Sequence, residues 1–259
     1  MRLFSDYHTH PQGHRVQPYT QALLQPWADA ARAKGLTDIA FTDHDRYHEG
    51  VDFDEVERLR ENNPGLAVRA GIELDNDPFT GAAGRAWVEQ HWDRLDFVLG
   101  SVHYLSSERM FDSTGEEGQF VGHDIDAIYA DYFERVRVMA GSGVVDCLSH
   151  LDLIKIHGFR SRIADTSLAE ETLQFVKDRG LAIELSTAGW RKTVGEQYPS
   201  REIIRRAKEI GIPFTVASDA HSHVQQAENY DRLTALMAEC GITEVCVYER
   251  HKRRVVPLA

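Results

Sequence analysis

Seven short apolar runs recur along the chain, at Leu3-Phe4 and at residues 38–42, 67–72, 97–102, 144–149, 181–186 and 213–218. Each is followed by a loop and usually by a segment of helical period. Strands joined by crossovers of that length pair in parallel, since only tight hairpins suit antiparallel neighbours, and the crossover helices then cover the sheet. The pattern predicts one α/β domain over residues 1–259, a TIM-barrel-like barrel or strongly curved sheet with helices outside. No repeat, low-complexity stretch or Pro/Gly/Ser-rich linker divides it.

The helical segments have readable ends. Thr20 is an N-cap for a helix carrying Leu23, Leu24, Trp27, Ala30 and Ala31 at helical spacing, closed by Lys34-Gly35. Pro26 inside it predicts a later start or a kink. Further helices are expected over 53–62, weakly over 85–95, over 124–140 and 168–179, from Ser200 to about Gly211, and over 230–239. A terminal strand is expected over 245–248. Residues 106–123 read as a long loop, of a length that tends to be functional or mobile.

In barrels of this kind the active site is built from loops at the C-terminal ends of the strands. The unusual residues fall there: His8, His10 and His14 after the first strand, His44 after the second, Glu73 after the third, His103 after the fourth, His150 after the fifth, and Asp219 with His221 after the seventh. His8 and His10 share a side because strand side chains repeat every second residue. One histidine at a strand end is an ordinary polar residue, but seven of the 13 histidines stand at these positions. The nine nitrogen and oxygen ligands exceed the needs of one tetrahedral ion, and Glu73 can bridge two, so two or three divalent metal ions are expected. Imidazole and carboxylate without thiolate suit zinc, iron or manganese alike. His48, His91, His123, His157, His223 and His251 have no such placement and are read as surface or structural, with His157 and His223 nearest the mouth.

Cys147, Cys240 and Cys246 are an odd number without CxxC spacing, which argues against a disulfide framework or thiolate zinc site and for buried thiols. The formal charge of −12 disfavours a broad nucleic-acid grip, while a few metals and arginines still admit an anionic substrate. No apolar stretch is long enough to span a bilayer, and residues 1–6 lack a signal-peptide h-region. The expectation is a cytoplasmic protein without membrane attachment. Closely spaced ions make a hydroxide nucleophile at neutral pH and clamp phosphoryl oxygens, so the expected chemistry is hydrolysis.

The order HxH (His8-Thr9-His10), TDH (Thr42-Asp43-His44), GxE (Gly71-Ile72-Glu73), SVH (Ser101-Val102-His103), SHLD (Ser149 to Asp152) and SDAH (Ser218 to His221) resembles the PHP (polymerase and histidinol phosphatase) superfamily. Within it, His150-Leu151-Asp152-Leu153-Ile154-Lys155, Ser186-Thr187-Ala188-Gly189-Trp190-Arg191-Lys192, Gly195 to Ser200 and the tail Lys252 to Leu258 are similar to the PHP-type histidinol-phosphate phosphatases. The resemblance runs essentially end to end. It implies a distorted (β/α)7 barrel with a trinuclear site: His8, His10, Glu73 and Asp219 on one metal, Glu73, His103 and His150 on a second, and His14, His44 and His221 on a third. It also implies that Arg160 and Arg191 bind phosphate, with Lys155 as a weaker candidate. A guanidinium fork suits a phosphate dianion. Residues 43–48, 75–91 and 106–123 depart from the pattern, and they are the regions expected to shape the pocket around the alcohol part of the substrate.

The expected reaction is hydrolysis of a small phosphorylated metabolite, L-histidinol phosphate, a step of histidine biosynthesis, by attack of a metal-bridging hydroxide. Arg160 and Arg191 neutralise charge, and Asp219 or a nearby histidine such as His221 is the acid for the leaving group. Another PHP hydrolase, acting on a sugar or nucleotide phosphate or an oligonucleotide 3′ end, is the alternative, and a metal-stabilised binding domain is a third reading.

Overall fold

The computed structural model describes residues 3–258, so residues 1, 2 and 259 of the predicted domain lie outside it. The strands are β1 (Ser5–Asp6), β2 (Asp38–Phe41), β3 (Ala67–Asp75), β4 (Phe97–Ser101), β5 (Cys147–Leu148), β6 (Ala182–Ser186) and β7 (Phe214–Ala217). All pair in parallel, in chain order. Tyr7 N donates to Val216 O at 3.0 Å and Thr9 bridges Ala220 in parallel, so the last strand meets the first and the barrel nearly closes. Gly71 is where neighbouring strands crowd β3: a Cβ there would come within 2.8 Å of Phe97 O.

Among the described residues seven α-helices surround the barrel: α1 (Gln21–Lys34), α2 (Phe53–Asn62), α3 (Gly81–Gln90), α4 (Ile125–Ala140), α5 (Asp165–Asp178), α6 (Arg201–Glu209) and α7 (Tyr230–Glu239). In α1 the Thr20 hydroxyl accepts from Leu23 N and Gly35 closes the helix at φ 74°, while Leu24, Trp27, Ala28 and Ala31 turn into the core. The helix accommodates Pro26 within its span and starts directly after Thr20, not later. α3 begins at Gly81, earlier than its weak apolar pattern suggested, after a turn in which Asp77 Oδ1 accepts from Phe79 N and Thr80 N.

Two differences matter for the site. β3 extends to Asp75, so Glu73 lies inside the strand, not beyond its end. The terminal strand β8 (Glu244–Glu249) pairs antiparallel with an unanticipated β9 (Lys252–Pro257). Lys252-Arg253-Arg254 carries no apolar strand signal, and β8 supplies the pairing that defines it.

Cys246, Val247 and Tyr248 of β8 pack with Tyr7, Phe97, Leu99, Cys147 and Ala182 of the barrel interior. Tyr7 OH donates to Asp38 Oδ1 at 2.9 Å and accepts from Tyr248 N at 2.9 Å. The hairpin thus seals the N-terminal end, leaving the opposite end for function. All three cysteines are buried, as expected. No helix among the described residues is long and apolar enough to cross a membrane.

His251, in the turn between β8 and β9, staples that seal. Its ring stacks on Trp92 with centroids 3.6 Å apart, Nδ1 lies 2.8 Å from Asp146 Oδ2, and Nε2 lies 3.0 Å from Trp92 O. Both nitrogens face acceptors, so only the imidazolium donates to both. Burial lowers its pKa, but Asp146, Trp92 O and Asp96 outweigh this and raise it above 6.5. A raised folded pKa stabilises fully below the unfolded value, and the benefit is lost as pH rises through the folded value. The melting temperature of wild type should therefore exceed that of His251→Gln most at pH 6 and converge with it at high pH. A gap that is constant from pH 6 to 9 would show the ring acting through packing alone.

Candidate metal centre

Glu73 is the middle of the site. β3 carries it in, 1% exposed, and its two oxygens face different histidines. Oε2 lies 2.8 Å from His44 Nδ1, 3.3 Å from His8 Nε2 and 3.6 Å from His10 Nε2. Oε1 lies 3.2 Å from His150 Nε2 and 3.8 Å from His103 Nε2, and accepts from Ser101 Oγ at 2.6 Å. His8 and His10 point to one side of the first strand's extension, as the two-residue repeat requires, with ring centroids 4.9 Å apart.

Asp219 Oδ1 approaches His10 Nε2 at 3.2 Å and His8 Nε2 at 3.8 Å. Its backbone is left-handed, φ 51°, a conformation that aspartate tolerates better than most residues. Arg191 Nη2 braces this turn by donating to Ser218 O and Asp219 O at 2.6 and 2.9 Å. His221 stacks on His10 with centroids 4.2 Å apart.

Four sets of donor atoms lie close enough to hold an ion: His8, His10 and Asp219; His8, Glu73 and His150; His10, His44 and His221; and His44, Asp75 and His103. Eight of the nine expected ligands are gathered here. His14 is not in these sets: it is exposed, with its ring 4.3 Å from His221 and 6.1 Å from His44. His103 groups with Asp75 at 2.9 Å as well as with Glu73, because β3 runs two residues further than expected and presents Asp75 on the same side.

The electrostatics suit cations. Burial followed by neighbouring imidazoles holds His10 well below 6.5, and burial takes His221 to about 4, so both rings are neutral at pH 7, the form that binds a cation. Burial would raise Glu73, but His44 and His8 keep it well below 4.5. Burial would lower His103, yet Asp75 and then Asp112 push it up to about 10. His8 Nε2, both His10 nitrogens, Glu73 Oε2 and His221 Nε2 are buried and, despite the short approaches around Glu73, make no well-directed hydrogen bond among the described residues. Buried polar atoms are rarely left so in such number, and this donor set fits divalent metal ions.

Glu184 escaped the sequence reading, although an acid amid the apolar β6 run was a signal. Fully buried, its Oε2 lies 2.8 Å from His8 Nδ1 and its Oε1 accepts from His150 N at 3.2 Å. A carboxylate behind a metal-binding imidazole fixes its tautomer and orientation, and Glu184→Gln should weaken metal affinity by roughly 10–100-fold. Equilibrium dialysis with elemental analysis measures this, and wild-type affinity would count against the role.

Above the cluster a cavity of about 300 Å³ is lined by His14, His44, Glu73, His103, Asp112, His150, Leu153, Ile156, Arg191, Lys192, Tyr198, Asp219, His221 and Gln225. Arg191 and Lys192 give it positive charge. Arg160 and Lys155 are not among these residues. Lys155 is buried in an ion pair with Asp152 at 2.7 Å and another with Glu196, and Arg160 also pairs with Glu196, at 2.8 Å. These carboxylates, distant in sequence or hidden in the LDLIK motif, draw both cations away from the lining. Of the remaining histidines, His157 Nε2 donates to Phe111 O and His223 lies beside Trp27, consistent with structural roles.

A family model described as PHP domain matches residues 6–188. A probable histidinol-phosphatase of Deinococcus radiodurans is 36% identical over 211 residues, 75% of this chain and 78% of that protein. A probable histidinol-phosphatase of Schizosaccharomyces pombe is 25% identical over 166 residues, 60% of this chain and 54% of that protein. Among solved structures, the histidinol phosphate phosphatase of Lactococcus lactis, complexed with zinc, L-histidinol and phosphate, superposes with a TM-score of 0.75 at 18% identity, covering 96% of this chain and 98% of that one. A putative histidinol phosphatase from Listeria monocytogenes gives 0.71 at 19% identity, covering 88% and 99%.

Proposed function

The chain belongs to the PHP domain family, and from that premise we propose that it is a metal-dependent phosphomonoesterase hydrolysing L-histidinol phosphate to L-histidinol and phosphate. The observation that carries the reading is the shared carboxylate of Glu73 amid five histidines, on the floor of a cavity with a cationic wall. The name borne by the Deinococcus relative supports the substrate.

His8, His10, His44, Glu73, Asp75, His103, His150, Asp219 and His221 would hold two or three divalent ions, zinc, iron or manganese, with His14 at the rim. Such ions supply acidified water and neutralise phosphoryl oxygens. The chain's own residues do the rest. Arg191 and Lys192 draw the phosphate dianion onto the floor, and the Arg191 guanidinium, braced on Ser218 O and Asp219 O, keeps a fixed orientation toward it. Arg160 reaches the phosphate only by leaving Glu196. Asp219 or His221, both lining the cavity and both unprotonated at rest, would take the proton released by the attacking water and return it to the leaving alkoxide.

Phosphate release from L-histidinol phosphate, nucleoside monophosphates and short single-stranded oligonucleotides, with metal-loaded protein, tests the reading. The expected result is a kcat/KM for histidinol phosphate well above the others. Preferred turnover of nucleotides or oligonucleotides would overturn it.

A further inference from the structure

We propose that Asp112 reads a protonated amine on the alcohol part of the substrate, so that the cavity selects phosphate monoesters of amino alcohols. This rests on the phosphomonoesterase reading above and goes further by assigning the group that chooses among such esters.

The cavity has two unlike walls. Loops following β6, β7 and β1 bring Arg191, Lys192, His221 and His14. Those following β4 and β5, across the barrel from β1, bring Asp112, Leu153 and Ile156. Of the three carboxylates that line the cavity, Glu73 and Asp219 belong to the metal cluster, whereas Asp112 is in none of the four donor sets. Its Oδ1 is buried without a hydrogen-bond partner. Leu153 and Ile156, each 4% exposed, give the same cavity an apolar wall, and the charged group that feels Asp112 is the His103 imidazole. A buried carboxylate oxygen beside apolar walls is costly until a donor reaches it, and an ammonium group satisfies it best.

Asp112 also stands on a fixed base. The preceding Phe111 is fully buried, packed edge-on against Tyr132 with centroids 5.7 Å apart. Phe111 N donates to His103 O at 2.9 Å, and Phe111 O accepts from His157 Nε2 at 2.7 Å. The long loop after β4 is therefore pinned to His103 and His157, and it holds one carboxylate at the pocket wall. Such a support lets a recognition group act without being reordered on binding. A phosphate on the cationic wall and an ammonium on Asp112 orient the ester across the metal floor, with Leu153 and Ile156 against its apolar part.

The test compares L-histidinol phosphate with 3-(imidazol-4-yl)propyl phosphate, which lacks only the amine, in wild type and Asp112→Asn. A hydrogen bond to a charged partner is worth enough that wild type should prefer the amine ester by roughly 10–100-fold in kcat/KM, chiefly through KM, and the ratio should fall close to one in D112N. Metal content, measured on the same samples, should match wild type. Wild-type turnover of both esters at similar kcat/KM overturns the inference while leaving the functional reading standing. Equal losses on both esters in D112N, or loss of metal, overturn it by making Asp112 a proton donor or a ligand. Turnover of neither ester by a wild type that hydrolyses other phosphomonoesters overturns the functional reading itself.

Discussion

Glu73→Gln should lower phosphate release by on the order of 10³-fold or more and deplete the protein of metal. The amide keeps the size of the carboxylate and removes its charge, so the loss isolates electrostatics from shape. One Glu73 oxygen faces His8, His10 and His44 and the other faces His103 and His150. Among the described residues Glu73 is the carboxylate whose approaches to histidine side chains number five. An amide nitrogen in place of either oxygen would turn a donor toward imidazoles that need an acceptor or an ion. Metal per chain and kcat/KM, measured together, check the prediction. A variant that keeps its metal and works within tenfold of wild type would show that Glu73 is not the shared ligand.

Stripping the metals with a chelator should abolish activity and also lower the melting temperature by roughly 5–15 °C, as ligands bound at 100 to 1,000 times Kd stabilise by about 3–4 kcal/mol. The physical reason lies in the unpartnered atoms. His8 Nε2, both His10 nitrogens and Glu73 Oε2 are buried without a well-directed hydrogen bond among the described residues, and an ion relieves that cost in the folded state alone. Zinc, manganese and iron(II) added back separately should restore stability and activity to different degrees, which ranks the metals. A chelated protein with an unchanged melting curve, shown by elemental analysis to be metal-free, would mean that the cluster tolerates its buried, unpartnered atoms unaided.

The two effects share one origin, the convergence of loops on the C-terminal ends of seven strands. That convergence was visible in the chain because parallel strands and strand-end histidines are local patterns. His8 and His10 announce themselves by spacing, and His44, His103 and His150 each close an apolar run. Asp75 and Asp112 were not announced, and Glu184 only as a lone acid in an apolar run. Asp75 depended on β3 running two residues further than its apolar pattern; Glu184 sits on the far side of His8 from the metal face. Asp112 is one acid in a loop without periodicity.

By itself, the sequence determined the parallel βα order, the family and eight of the residues gathered at the candidate metal centre, because each follows from a period or a strand end within a few residues. Only the tertiary structure decided which histidines share which carboxylate oxygen, that His14 stays at the rim, that Glu196 draws Lys155 and Arg160 from the cavity lining, and that Arg191 braces the Asp219 turn. These are contacts between residues far apart in the chain, such as His44 with Glu73, Arg191 with Asp219 and His14 with His221, and they are fixed by how the barrel closes and by where each strand ends. Local spacing names the groups, and the packed barrel sets their partners.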